Sequence, residues 1–99
     1  MKISIQSVNF NMDKDLKIYI EEKINVLNKF YDKIVDAEVF LKVQQTSDKE
    51  NKTVEVKINV PGDNIIVKKT TKTFEEGISA SVDALKRSLQ KLKEKQRNH

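Results

Sequence analysis
Apolar residues recur along this chain with two different periods, and the switches between them mark six segments. From Lys2 to Asn9, Ile3 and Ile5 alternate with Lys2, Ser4 and Gln6, which predicts a strand with one buried face. Val8, Phe10 and Met12 then shift the phase, which predicts a bend. Asp13 is a good N-cap. After it, Leu16, Tyr19, Ile20, Lys23, Ile24, Leu27 and Tyr31 fall on one face of a helix running to about Phe30 or Tyr31, with Lys23 the polar intruder. Val35, Ala37, Val39, Leu41 and Val43 alternate with Asp36, Glu38, Phe40, Lys42 and Gln44, the clearest strand. A polar hairpin loop, Thr46 to Lys52, leads to a third strand in which Val54, Val56, Ile58 and Val60 alternate with Glu55, Lys57 and Asn59. Pro61 and Gly62 suit the centre of a type II turn, because proline presets the first position and glycine supplies positive φ at the second. Ile65, Ile66 and Val67 open a fourth strand that fades into Lys68, Lys69, Thr70 and Thr71.

The last quarter, Thr73 to Arg97, organises the rest. Phe74, Ile78, Val82, Leu85, Leu89 and Leu92 recur at steps of four, four, three, four and three, the stripe of an amphipathic helix. Thr73 and Glu76 have the spacing of a capping box. Glu75, Glu76 and Asp83 lie in the first half of this segment, whereas Lys86, Arg87, Lys91, Lys93, Lys95 and Arg97 crowd the second, an order that suits the helix dipole. Gly77 costs a helix ~1 kcal/mol relative to alanine. Placed opposite the apolar stripe, it reads as tolerated drift.

The order is therefore β-α-β-β-β-α. Three strands joined by hairpins are antiparallel neighbours, and two helices with one apolar face each cover one side of the sheet. The opposite sheet face carries Lys2, Ser4, Gln6, Phe40, Lys42, Gln44, Glu55, Lys57, Asn59, Ile66 and Lys68. This is a two-layer α+β domain with a four-stranded sheet, of the architecture of double-stranded-RNA-binding domains. Residues 1–99 form a single domain, with the last few expected to fray.

Composition narrows the function. Ninety-nine residues support one modest core, with 37% hydrophobic and 34% charged residues and a net charge of +4. There is no cysteine, which removes disulfides, thiol chemistry and thiolate metal sites. No apolar run reaches the ~20 residues of a membrane helix, and the first residues do not read as a signal peptide. The expected location is cytoplasmic, with no membrane partner.

Enzymatic chemistry has little to work with. The one histidine, His99, is terminal and unpositioned, and Ser79, Ser81 and Ser88 have no base to activate them. The acid pairs Glu21–Glu22 and Glu75–Glu76 are adjacent on helices, so their side chains diverge. No Gly-rich phosphate loop is present. The expectation is a non-enzyme with no cofactor, no metal and no small-molecule substrate. Phe10, Tyr19, Phe30, Tyr31 and Phe74 read as core aromatics; Phe40, on the polar sheet face, is the candidate for stacking or a partner.

The basic residues carry the sharper hypothesis. By helical phase Lys86, Lys93 and Arg97 form one row beside the stripe, and Arg87, Lys91 and Lys95 another on the outer side. Lys14, Lys17, Lys23, Lys29 and Lys33 belong to the first helix and its exit. Helices packed side by side would let these residues border a shared positive groove, which attracts phosphates without reading bases.

Four strings, LKIYIEEKINVLNKFYDKI (16–34), AEVFLKV (37–43), TFEEGIS (73–79) and VDALKRSLQKLKEK (82–95), in this order of elements, resemble the ribosome hibernation-promoting factors, or ribosome-associated inhibitors. The likeness runs from residue 2 to about 97. It implies a bacterial protein that sits on the small ribosomal subunit in the channel for messenger and transfer RNA and blocks translation in starved or stationary cells. It also implies that basic helix residues contact ribosomal RNA. Lys23, Lys33, Arg87 and Lys91 match basic family positions. Val26, Ala84 and Ser88 replace polar or basic family residues, and Glu75 stands where an aromatic is common; Lys29 and Lys86 can compensate for lost charge. The expected rRNA-binding set is Lys23, Lys29, Lys33, Lys86, Arg87, Lys91, Lys93 and Lys95. The length resembles the short form of the family, without the long form's dimerisation domain. A generic double-stranded-RNA-binding module and a small scaffold binding protein through its polar sheet face are the rival readings.

Overall fold
The computed structural model describes the backbone of residues 1–97 and the side chains of residues 1–95. The fraying expected at the last residues, His99 and the Arg97 side chain lie outside the described residues. The elements are β1 (Lys2–Val8), α1 (Lys14–Asn25), α2 (Leu27–Phe30), β2 (Asp36–Val43), β3 (Lys52–Val60), β4 (Asp63–Thr71) and α3 (Phe74–Arg97). The sheet order is β1-β2-β3-β4. β2, β3 and β4 are antiparallel neighbours, as expected of hairpins. β1 lies parallel to β2, from Lys2 opposite Asp36 to Val8 opposite Lys42. A parallel pair needs a crossover, and α1 and α2 supply it.

Local chemistry sets the boundaries. Asn9 turns the chain out of β1 at φ 71°, a left-handed conformation that asparagine tolerates. Asp13 caps α1 by accepting from the Leu16 amide at 2.7 Å. Gly62 has φ +77°, the sign the second turn position requires. Thr73 Oγ1 accepts from the Glu76 amide at 3.1 Å, one half of the expected capping box.

The strict alternation becomes a single core. Val39, Leu41, Val54, Val56 and Ile58 of the sheet, Ile20, Ile24 and Leu27 of the first helical stretch, and Ile78, Leu85 and Leu89 of α3 are all at most 1% exposed. Each such side chain contributes roughly 1.5–3 kcal/mol by leaving water. Phe10 stacks on Phe74, ring centroids 4.8 Å apart, and ties the bend before α1 to the start of α3.

Five sequence expectations need correction. The first helix is not continuous, because an irregular turn at Val26 separates α1 from α2. Val26 keeps helical angles (φ −57°, ψ −30°), so the chain's direction persists. Nothing in the side-chain pattern accounts for the break. Val35 precedes the first ladder pair and is 57% exposed, so β2 begins one residue later than the alternation implied. β4 does not fade at Lys68: it pairs with β3 as far as Thr71 opposite Lys52, and backbone pairing rather than apolar content sets its length. Lys52 therefore opens β3 instead of closing the loop. Gly77 is buried and required rather than tolerated. A Cβ there would lie 2.7 Å from Val54 Cγ2 and 3.0 Å from Thr71 Oγ1, so the bare backbone lets α3 sit close on β3 and β4. Ser81, one turn on, is fully buried too, and its Oγ has no hydrogen-bond partner among the described residues.

Candidate nucleic-acid interface
Five apolar anchors from Phe74 to Leu89 fix the roll of α3 on the sheet, and that roll decides where its cations point. Lys86 follows the fully buried Leu85 and is half-buried against α2. Its Nζ lies over the Phe30 ring, 5.2 Å from the centroid. Arg87 and Lys91, further round, are exposed. Together with Gln90 and Glu94 these residues and Phe30 line a depression of about 450 Å³ between α2 and the second half of α3. The Gln90 amide donates to Glu94 Oε1 at 3.4 Å. Lys91 and Lys95 also border a second depression, beside Leu92 and β4 residues Ile65 and Ile66.

The structure brings the expected basic residues only partly together. Lys86, Arg87 and Lys91 share the Phe30 depression. Lys95 belongs to the β4 side, and Lys93 is exposed without lining either depression. Lys29 flanks Phe30 in α2, and Lys33 follows in the turn beyond; both are exposed and outside the depression. Lys23 sits toward the other end, its Nζ 5.6 Å from the centroid of the Tyr19 ring. It is exposed, so it does not intrude on the buried face of α1. The single shared groove expected from helical phase is thus a cationic stretch of α3 with two flanks.

None of these basic groups is ion-paired to a carboxylate among the described residues; the salt bridge found there joins Lys57 to Glu38 at 3.9 Å on the sheet face. Their charge is available to an external anion. Along the first half of α3, Glu75, Glu76 and Asp83 gather beside Tyr19, whose hydroxyl donates to the Glu75 carbonyl at 3.4 Å. Phe30 is the residue that sequence reasoning misplaced. By sequence it reads as core, but it is 36% exposed, because Leu27 and Tyr31 take the inward positions of that turn. Its offset from the Ile20–Ile24–Leu27–Tyr31 stripe was the available signal. Phe40 is half-buried between Gln6 and Glu55 of the neighbouring strands. Among the described residues no three histidine, cysteine, aspartate or glutamate side chains group as a metal site, and no helix is long and apolar enough to cross a membrane.

The fold and the site define a small α+β domain that presents a rigid, unpaired cationic helix. The chain belongs to the family described as sigma 54 modulation protein / S30EA ribosomal protein, which it matches over residues 3–97. It is 29% identical over 98 residues to a ribosome hibernation promoting factor of Pseudomonas putida, covering 99% of this chain and 92% of that one. It is 34% identical over 86 residues to the ribosome hibernation promotion factor of Deinococcus radiodurans, covering 86% of this chain; it spans only 45% of that longer relative. In fold it is similar to a ribosomal subunit interface protein from Coxiella burnetii, with a TM-score of 0.82 and 18% identity, over 94% of this chain and 98% of the other. The N-terminal domain of Protein Y from Thermus thermophilus superposes at 0.80 with 20% identity, over 93% and 99%. The resemblance drawn from the four strings holds at the level of the family.

Proposed function
We propose that this chain is a ribosome hibernation factor. It occupies the channel of the small subunit where messenger and transfer RNA bind, contacts ribosomal RNA through the basic half of α3, and stops translation in starved or stationary cells. Its place of action is the cytoplasm. The observation that carries this reading is the end-to-end match to a protein named for ribosome hibernation. The geometry supports it: occupancy needs a rigid body with unneutralised cations, and α3 holds Lys86, Arg87 and Lys91 on a buried spine. A cation on such a spine meets a phosphate with little further loss of conformational entropy. The family is ribosome-associated, and occupancy requires no reaction.

Sedimentation with ribosomes from growing and starved cells tests binding. Competition tests the place: added messenger and initiator transfer RNA should displace the protein, while peptidyl transfer on preloaded ribosomes proceeds untouched. Inhibition that ignores added messenger and initiator transfer RNA would overturn the channel assignment.

A further inference from the structure
We infer that the Phe30 depression is a subsite for one unpaired nucleotide, whose base stacks on the Phe30 ring while its phosphates meet Lys86, Arg87 and Lys91. The inference rests on the RNA-binding reading of α3 and adds the class of RNA it takes, a single-stranded or extruded nucleotide.

Three observations converge. An aromatic ring that is 36% exposed stands on a surface whose neighbours offer positive charge and two polar side chains. Base faces stack on such rings irrespective of sequence, because every base has a π face. Lys86 Nζ already sits 5.2 Å from the ring centroid, so the ring face accepts a cation-sized group, and an arriving base would exchange places with it. The released ammonium stays on the same helical turn, where a phosphate can take it.

Glu94 orients the nucleotide. Its carboxylate closes the C-terminal side of the depression and repels phosphate there. The phosphates are thus directed toward Lys86, Arg87 and Lys91, and the base edge toward Gln90 and Glu94. Gln90 donates to Glu94 and keeps its own carbonyl free to accept from a base. A duplex buries its base faces in its own stack and can offer the ring nothing comparable.

Two variants read the site. Phe30→Leu keeps apolar bulk and every charge but removes the π face; Phe30→Trp restores a larger one and reports on itself, since the chain has no other tryptophan. The probes are a short unstructured oligoribonucleotide and a duplex of the same composition. Phe30→Leu should weaken oligoribonucleotide binding about five- to tenfold with an unchanged salt slope, and leave duplex binding as it was. Phe30→Trp should bind at least as tightly as the parent, with its fluorescence quenched by the single strand. Equal binding by the parent and Phe30→Leu, absence of quenching, a preference for duplex, or no binding of the single strand by the parent would each overturn the subsite. The broader reading fails separately, by loss of sedimentation with ribosomes in the parent protein.

Discussion
Gly77 shows how one missing carbon can set a whole helix. Alanine there would recover ~1 kcal/mol of helix propensity, but its Cβ would meet a methyl of Val54, which is fully buried and stiff at χ1. Overpacking of this kind costs about 1–3 kcal/mol, and Thr71 Oγ1 at 3.0 Å narrows the escape on the other side. Gly77→Ala should therefore lose stability in chemical denaturation, by up to about 2 kcal/mol once the propensity gain is set against the overpacking. Adding Val54→Ala should recover part of that loss, a coupling that a double-mutant cycle measures. A stabilised Gly77→Ala would show that α3 shifts freely. The caps at Asp13 and Thr73 and the positive φ at Gly62 were legible because short-range chemistry fixes them. Gly77 was not, because its neighbours are a valine and a threonine of strands brought near only by the fold. Phe30 failed for the related reason that burial belongs to the neighbour as much as to the residue.

At the scale of elements, the paired strands, the long last helix and the sorting of sheet faces all followed from periodicity. What periodicity left open was the seat of β1, because alternation says which face is buried and not which strand lies beside it. It also misjudged β4, whose polar second half is held by the ladder to β3. On α3 the test is whether position or mere charge matters. Replacing Lys86, Arg87 and Lys91 together by glutamine should strongly weaken ribosome binding and lower its salt slope by about 2–3 units, at ~0.7–0.9 per lost phosphate contact. Glutamine at Lys42, Lys49 and Lys68 removes the same charge from exposed positions off the helices, and should change both far less. Equal effects from the two triple variants would remove the case for a defined helical face.

The molecule measures 49 × 24 × 19 Å. A helix of 24 residues is about 36 Å long, so α3 must run along the long axis. Glu75 and Glu76 in its first turn are consequently held roughly 15–30 Å along the axis from Lys86, Arg87, Lys91, Lys93 and Lys95, at ~1.5 Å per residue. That separation exceeds the ~8 Å Debye length of physiological salt. The two poles are then screened from each other, and an approaching polyanion feels the basic one almost alone. The net charge of +4 understates the attraction at one end and overstates it at the other. In a phosphate field such a body also turns as it diffuses, basic pole first, so that orientation is partly settled before contact. Removing the acidic pole, with Glu75→Gln and Glu76→Gln together, raises the net charge by two. Stopped-flow association with ribosomes should nevertheless change less than about threefold at physiological salt, and the change should grow as salt is lowered and the screening length reaches the span of the helix.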